Sequence, residues 1–344
     1  MASEKAVEWL VPPDAAGQTI REFLADALPL DPVSFARHVL GRGRVFVNEE
    51  KAGPRARVEK GAVVRVEALE SERASFRVAN IAPDILYEDE HILALNKPSG
   101  CTVVPRRNRR DCPFQNGIVA YLRQSPEALA AATRSRYRPR AVHRLDQCTS
   151  GVVIEAKTRA GELRVARQFQ ERAVVKEYLA VVLGEMADDE GRIEAPIGPV
   201  RGDLARMRVD EKRGRPSLTT CAVEERFRGF TFVRAFPETG RRHQIRVHLA
   251  HAGHPVVADS VYGGGPSLML SSVKRSYRLA RGRTEKPLIE RAALHASAIT
   301  FLPVGDETAL RIEAPLPDDM ALLLKMLRKY ASGGMQMADP CHSP

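Results

Sequence analysis

The chain has 344 residues, 44% of them hydrophobic, which is enough for two domains with buried cores. No apolar run approaches the roughly 18 residues that span a bilayer, and the N-terminus lacks the apolar stretch of a secretory signal, so we expect a cytoplasmic protein with no membrane partner. The five cysteines form no Cys-x-x-Cys pair, which argues against a disulfide framework and against a structural zinc site.

The net charge of +10 is unevenly distributed along the chain. Residues 1–80 carry 12 basic and 12 acidic side chains, so the whole excess of positive charge lies in residues 81–344. A basic surface on that part of the chain suits a polyanion such as RNA. A basic protein that binds no polyanion would give the same count, so charge alone does not decide.

Residues 14–70 are predicted to form a small αβ module. Helical spacing covers residues 18–28, and a second helix is expected to begin at Ser34. Short apolar runs predict strands at residues 45–48 and 63–66.

A Gly-Arg-Gly-Arg turn at residues 41–44 separates the second helix from the first strand. This order of elements resembles the RNA-binding module first seen in ribosomal small-subunit protein S-four. The resemblance makes Arg42 and Arg44 candidate contacts to an RNA backbone. Because the module is neutral overall, a purely structural role stays open.

Residues 71–84 are predicted to be a linker, and residues 331–344 a disordered tail. The second domain is expected to cover residues 85–330. It opens with two strands around the acidic turn 88–91, and a Lys-Pro-Ser-Gly breaker at residues 97–100 ends the second strand.

The most informative segment reads His143-Arg144-Leu145-Asp146-Gln147-Cys148-Thr149-Ser150-Gly151 and leads into an apolar strand. An acid on a loop at the end of a strand can face a cleft while the sheet fixes its position. Taken alone, Asp146 could equally cap a turn.

This segment resembles the signature loop of pseudouridine synthases of the large-ribosomal-subunit type, the RluA branch. The resemblance implies an α+β fold, in which the small module precedes a domain with a mixed, mainly antiparallel central sheet flanked by helices and loops. It also implies that Asp146 is the catalytic carboxylate, and that His143, Arg144 and Thr149 bind the substrate.

A second motif, Lys176-Glu177-Tyr178, lies in a predicted strand over residues 176–183. An aromatic ring can stack on a uracil face, and the resemblance gives Tyr178 this role in the site. Ordinary packing within a strand is the alternative. Between the two motifs, Thr158 is expected to cap a helix that runs to about residue 171, with Leu163, Ala166 and Phe169 at a spacing of three.

A third motif covers residues 239–249, within a predicted helix from about 242 to 252 that Gly253 ends. By resemblance, Arg246 pairs with Asp146, and a guanidinium beside that carboxylate would hold it ionised and oriented. The alternatives are a phosphate contact or a solvated helix charge. Arg242 replaces the threonine that the family often has.

The resemblance places an apolar residue against the target base, and Leu294 is the candidate; plain core packing is the alternative. Arg106, Arg107, Arg109 and Arg110 form one basic segment that could contact the RNA backbone. Residues 134–144 and 201–215 are two more, although charge runs are more often solvated surface.

Four histidines, at positions 243, 248, 251 and 254, could suggest a metal site. Their spacing is not the i, i+4 pair of a zinc protease helix, so we expect no metal. No phosphate-binding glycine loop is present, and we expect no cofactor.

The resemblance implies an isomerase that converts uridine to pseudouridine in ribosomal or transfer RNA, and we expect a monomer without an obligate protein partner. Asp146 would start glycosidic cleavage by attack on the sugar, by attack on the base, or by abstraction of a sugar proton. A non-catalytic RNA-binding ribosome-assembly factor on the same fold is the main alternative. A nucleoside hydrolase is the other, although no motif supplies its second carboxylate.

Overall fold

The computed structural model describes residues 4–27, 39–69, 82–104, 139–279 and 282–332, together with residues 114, 117, 118, 121 and 122. The Cα positions divide the chain into two units: residues 1–83 with 101–139, and residues 84–100 with 140–344. None of the described helices is long and apolar enough to cross a membrane. Residues 70–81, which include most of the predicted linker, lie outside the described part.

The N-terminal unit contains a four-stranded antiparallel sheet and helix α1. Its elements are β1 (Glu4–Leu10), a 3₁₀ turn (Pro13–Ala15), α1 (Ile20–Ala27), β2 (Val45–Val47), β3 (Glu50–Lys51) and β4 (Val63–Leu69). The strand order is β1-β4-β2-β3. Ile20, Phe23 and Leu24 of α1 are buried against strand residues such as Val45 and Val64, as the helical spacing predicts.

Two features of this unit go beyond the sequence pattern. Strand β1 pairs with β4 along its whole length, so the unit includes residues before the predicted start at residue 14. Residues 39–41 are helical, whereas the predicted start of that helix at Ser34 lies outside the described residues. Arg42 is exposed and Arg44 half-buried in the turn that follows. Their role in RNA binding stays a prediction.

The second unit contains most of the chain. Its strands are β5 (Ile85–Glu88), β6 (Ile92–Lys97), β7 (Arg140–Ala141), β8 (Ser150–Ala156), β9 (Val175–Leu183), β10 (Glu190–Glu194), β11 (Ile197–Val200), β12 (Asp203–Val209), β13 (Leu218–Phe227), β14 (Phe230–Pro237), β15 (Leu268–Met269), β16 (Pro287–Ile289), β17 (Leu294–Phe301) and β18 (Leu310–Glu313). Its helices are α2 (Arg159–Glu171), α3 (Gln244–His251), α4 (Leu270–Val273) and α5 (Asp318–Tyr330).

Ten of these strands form the central sheet, in the order β10-β13-β14-β9-β17-β8-β6-β5, with β18 beside β17 and β7 beside β8. Among the described pairs, β8 and β17 run parallel and the others run antiparallel. The mixed, mainly antiparallel sheet expected for the second domain is therefore confirmed.

Strand β8 changes partner along one of its edges, and this positions the loop that precedes it. Ser150 and Gly151 pair with β17, whereas Glu155 and Ala156 pair with β7. Because β7 and β8 are antiparallel, residues 142–149 form the loop that joins them. The end of this loop therefore lies beside the start of β17, near the middle of the sheet.

Helix α2 begins as expected but buries a different face. The Thr158 hydroxyl accepts a hydrogen bond from the Gly161 backbone, which is an N-cap. Of the predicted apolar row, Phe169 packs against the core, whereas Leu163 is 55% exposed and the buried positions are Val165 and Gln168. The Gln168 side chain hydrogen-bonds both the N–H and the carbonyl of Leu302, so a polar residue anchors this face to the sheet.

Helix α5 ends at Tyr330, the residue before the predicted tail. Its C-terminal Tyr330 is followed by Ala331, which is fully buried and packs in the large core cluster. The Arg228 backbone N–H donates to the Ala331 carbonyl. Residue 331 therefore belongs to the folded unit rather than to the tail, and residues 333–344 lie outside the described part.

Candidate active site

One cavity of about 610 Å³ in the second unit contains the residues that the sequence motifs single out. Its walls include the three predicted catalytic residues, Asp146, Tyr178 and Arg246. They also include all four predicted substrate-binding residues: His143, Arg144, Thr149 and Leu294. Three motifs that are spread over residues 143–249 of the sequence thus meet in one cavity.

The loop that carries Asp146 is hydrogen-bonded to the Lys-Pro-Ser-Gly turn at the end of β6. The Gly100 N–H donates to the Gln147 carbonyl at 2.8 Å, and the Gln147 side-chain amide donates back to the Gly100 carbonyl at 2.7 Å. The Ser99 hydroxyl donates to the Cys148 carbonyl. The ammonium of Lys97, whose side chain is fully buried, lies 3.5 Å from the Gln147 carbonyl. These bonds fix the two residues that directly follow Asp146.

Three neighbouring strands bring the loop and Tyr178 together. In the strand register, Gly151 of β8 lies beside Ala296 of β17, and Ala296 lies beside Tyr178 of β9. Gly151 has a φ of +114°, and a Cβ there would lie 2.1 Å from the Ala296 carbonyl oxygen. This position therefore requires glycine, because any side chain would push the loop away from β17.

Helix α3 positions Arg246, and Gln244 fixes the start of that helix. The buried Gln244 amide accepts from the Thr239 hydroxyl and the Arg241 N–H, and it donates to the Leu218 carbonyl and the Thr219 hydroxyl. The amide thus ties the end of β14 to β13. The helix begins at Gln244, later than the predicted start at about residue 242, because His243 before it has a left-handed φ of +57°.

The centre of the site is a chain of three charged groups. Arg246 Nη1 donates to Asp146 Oδ2 at 3.2 Å, and Arg246 Nε and Nη2 donate to the two oxygens of Asp259 at 2.6 and 2.8 Å. The Asp259 side chain is 0% exposed, whereas that of Asp146 is 17% exposed. Burial opposes the charge of Arg246, but the bond to Asp259 outweighs it and raises the pKa of the guanidinium. The central cation is therefore permanent.

His243 lies on the other side of Asp146. Its Nδ1 is 2.7 Å from the Tyr262 hydroxyl, which also accepts from the Met207 N–H at 2.9 Å. Burial lowers the pKa of His243 to about 4, so the ring is neutral near pH 7. We assign the Tyr262 proton to the bond with Nδ1. The His243 ring then carries its proton on Nε2, which lies 3.8 Å from Asp146 Oδ1.

Tyr178 and Leu294 belong to the apolar part of the cavity wall. Burial, and then the charge of Asp146, raise the pKa of Tyr178, so its phenol keeps its proton. Leu294, the first residue of β17, is 3% exposed. Its side chain therefore belongs to the core and to the cavity wall at once.

The three predicted substrate-binding residues near Asp146 in the sequence make different contacts. His143 accepts a hydrogen bond from the Ile154 N–H on Nε2 and stacks on Phe169 at 4.9 Å, and burial lowers its pKa to about 3. This ring therefore holds the loop to β8 as a neutral group. The Thr149 N–H donates to the Asp146 carbonyl, which closes the turn. Arg144 is exposed at the mouth of the cavity.

The remaining predictions concern the RNA backbone and a metal. Arg106, Arg107, Arg109 and Arg110 lie outside the described residues. Within the described part, no three His, Cys, Asp or Glu side chains cluster as metal ligands would. Both ring nitrogens of His248 are hydrogen-bonded, to the Thr219 hydroxyl and to the Ala195 carbonyl.

Asp259 and Tyr262 complete the site, and the sequence pattern gives neither of them a role. Both lie in the run from Gly253 to Gly263, where Asp259 follows an alanine at a left-handed φ of +58°. Asp259 Oδ1 also accepts from the N–H groups of Val261 and Tyr262. The signal in the sequence that could have identified Asp259 is an aspartate in a tight turn, 13 residues after Arg246.

Comparisons with known proteins agree with this geometry. The sequence profile described as RNA pseudouridylate synthase matches residues 91–251, which include Asp146, Tyr178 and Arg246. The chain is 36% identical over 319 residues to the ribosomal large subunit pseudouridine synthase D of Xylella fastidiosa, covering 93% of this chain and 92% of the relative. It is also 36% identical over 327 residues to the ribosomal large subunit pseudouridine synthase C of Escherichia coli K12, covering 92% of this chain and 94% of that one.

Among solved structures, the human RNA pseudouridylate synthase domain containing 4 superposes with a TM-score of 0.50 at 22% identity, covering 71% of this chain and 93% of that chain. This likeness concerns the fold. The long, nearly complete alignments with the two bacterial relatives show the family, and the expectation from the signature loop is confirmed: the chain belongs to the RNA pseudouridylate synthase family.

Proposed function

We propose that this protein isomerises uridine to pseudouridine in large-subunit ribosomal RNA, with Asp146 as its catalytic carboxylate. The observation that carries the proposal is the Asp146–Arg246–Asp259 chain in a cavity that Tyr178 also lines. A partly exposed carboxylate held by a buried, permanently charged guanidinium stays ionised and fixed in direction. A group of this kind can act at a ribose–base bond.

The reaction needs no oxidant and no second substrate. The bond between C1′ of the ribose and N1 of the uracil breaks, the ring turns, and a new bond forms between C1′ and C5. The proton on C5 is released, and N1 gains a proton in exchange. Asp146 initiates the cleavage, and Tyr178 holds the detached ring by stacking while it turns.

The cavity must receive a nucleotide that has left its helix. Unstacking and unpairing a base costs a few kcal/mol in a duplex and less in a loop. Leu294 offers an apolar contact for the base, and Arg144 at the cavity mouth offers charge to the displaced strand. We infer ribosomal RNA as the substrate because the two bacterial relatives bear the name of large-subunit ribosomal enzymes.

The test uses RNA labelled with tritium at C5 of uridine, because joining at C5 releases the label to water. The wild-type protein should release tritium from large-subunit ribosomal RNA made by transcription in vitro. Asp146→Asn should reduce the rate at least about a thousandfold. Asp189→Asn is the matched control, since its carboxylate is exposed and pairs only with Arg226 in the contacts of the described residues.

Two results would contradict the proposal. Release by Asp146→Asn at close to the wild-type rate would remove the role of the carboxylate. Release from labelled transfer RNA but not from ribosomal RNA would keep the reaction and reject the substrate. Mapping of pseudouridine in total RNA, with and without the gene, then identifies the position.

A further inference from the structure

A second charged feature of the cavity has no part in the carboxylate chain. Lys176 and Arg172 both line the cavity, and Lys176 lies two residues before Tyr178 in β9. Alternate residues of a strand point to the same face, about 6.5–7 Å apart. The ammonium of Lys176 is therefore one step along the strand from the ring that we propose stacks on uracil.

The intervening residue does not neutralise Lys176. Glu177 points to the opposite face, where Arg234 Nη1 and Arg311 Nη2 donate to it at 3.0 and 3.1 Å. The acidic residues of the cavity wall are Asp146 and Glu238. Asp146 is paired with Arg246, and Glu238 is exposed. Within the described part of the chain, no carboxylate oxygen lies within 4.0 Å of Lys176 Nζ or of the Arg172 guanidinium.

Lys176 is held in place, and its charge is costly there. Nζ donates to the Thr239 carbonyl at 3.3 Å, and Thr239 lines the same cavity. Burial, and then the neighbouring charge of Arg172, lower the pKa of Lys176 to about 8. Arg172 is itself placed by the end of α2, with a left-handed φ of +61°. Two cations thus face one space without an anion of their own.

We propose that Lys176 and Arg172 form a subsite for an RNA phosphodiester next to the target nucleotide. This subsite rests on the proposed function, because it takes Tyr178 as the place of the base. A phosphodiester has the charge that the two cations lack, and its oxygens can accept from an ammonium and a guanidinium at once. The same contact would fix the ribose between the phosphate and Asp146.

The binding of RNA to Lys176→Met and Arg172→Met, measured over a range of salt concentrations, tests the subsite. The probe is unmodified large-subunit ribosomal RNA made in vitro, and Asp146→Asn is present in every protein so that no turnover occurs. Each change should weaken binding about tenfold and reduce the slope of log affinity against log salt by about 0.7–0.9. Lys325→Met, an exposed lysine on α5, should leave both unchanged.

The pH dependence separates this contact from a general loss of charge. A bound phosphate favours the charged ammonium, so the pKa of Lys176 should rise in the complex, and its contribution should be complete below pH 8 and lost at higher pH. Among the groups that face Lys176, His143 is neutral above its pKa of about 3 and the raised pKa of Tyr178 keeps the phenol protonated. Arg172 and Arg241 also line this wall of the cavity. Affinity should therefore fall as the pH rises above 8 in the Lys176 protein, and Lys176→Arg should remove most of this fall.

Two results would overturn the subsite: Lys176→Met binding RNA with the wild-type affinity and salt slope, or Lys176→Arg showing the full alkaline loss. Circular dichroism at the same pH values confirms that each variant is folded. Failure of the proposed function looks different. In that case the protein with Asp146 intact releases no tritium, while the binding experiments still decide whether Lys176 and Arg172 hold a phosphate.

Discussion

The ion pair between Asp259 and Arg246 should be essential for stability, and Asp259→Asn tests this. Asp259 uses both oxygens on the guanidinium, at 2.6 and 2.8 Å, and Oδ1 also accepts two backbone N–H groups. An asparagine can keep its oxygen at the Oδ1 position. Its NH₂ group then replaces the oxygen that accepts from the Nε–H of Arg246. Two buried donors would face each other there, with no acceptor between them.

The magnitude follows from burial. Removing one partner of a buried ion pair costs about 3–5 kcal/mol, because the remaining charge stays in the interior. Arg246 keeps one bond to Asp146 and one to the asparagine oxygen, so we expect the lower end, about 3 kcal/mol of unfolding free energy. Activity should fall as well, because Arg246 no longer has a fixed direction in which to hold Asp146.

The assay is urea unfolding followed by circular dichroism, in parallel with tritium release. The matched control is Asp189→Asn, which removes the same charge from a pair whose carboxylate is 85% exposed. Exposed pairs contribute about 0–1 kcal/mol, so the control should be close to wild type. The chain has one tryptophan, Trp9, so fluorescence reports the N-terminal unit separately. A cost below about 1 kcal/mol for Asp259→Asn would refute the reasoning, because the pair would then not behave as a buried one.

Three further changes follow from other contacts. Gly151→Ala should prevent accumulation of folded protein, whereas Gly229→Ala, which meets nothing within 4 Å at a φ of +78°, should cost only about 1 kcal/mol; equal stabilities would contradict the close approach of β8 to β17. Burial lowers the pKa of His295 to about 4, so the unfolded chain takes up a proton below its ordinary value of 6.5 before the folded one does. The contribution of His295 to stability is therefore complete above pH 6.5 and declines toward pH 4, by about 1.4 kcal/mol at pH 5.5, and urea midpoints of His295→Gln should show less of the acid decline; the same decline in both proteins would exclude a contribution from His295. Tyr262→Phe removes the hydroxyl that orients His243, so single-turnover tritium release should slow about tenfold while RNA affinity stays within about twofold; an unchanged rate would show that this contact does not position Asp146.

Much of the second unit could be predicted because its local signals agree with its fold. Thr158 caps α2 through its hydroxyl, and the acidic turn at residues 88–91 closes a hairpin in which Asp89 Oδ1 accepts from the His91 and Ile92 N–H groups. The resemblance of the three motifs to the family also singled out Asp146, Tyr178 and Arg246, and these line one cavity.

Other parts of the fold have no local signal. Strand β14 is buried on both faces, so Phe230, Thr231, Phe232 and Val233 show no alternation of polar and apolar residues. The buried face of α2 includes Gly161 and Gln168, which hydrophobic spacing does not select. In both cases the partner that makes the residue buried comes from a distant part of the chain.

The same limit applies to the site. Asp259 contacts Arg246 only because residues 256–264 form a tight turn after α3, in which Gly264 passes the Val256 carbonyl too closely for any Cβ. A motif records which side chains occur at which spacing. It does not record which of several acidic residues the fold will bury, and burial is what distinguishes Asp259 from the exposed acids of the same unit.

The geometry of the Asp259–Arg246 ion pair determines how many oxygens of Asp146 can bind the same guanidinium. A guanidinium presents two edges to a carboxylate, and Asp259 takes the edge made by Nε and Nη2, so Asp146 receives a single bond from Nη1 through Oδ2. Its other oxygen, Oδ1, is thereby kept from a second bond to the same arginine. Without Asp259, the arginine could bind both oxygens of Asp146, and neither oxygen would be left for a further contact in the cavity.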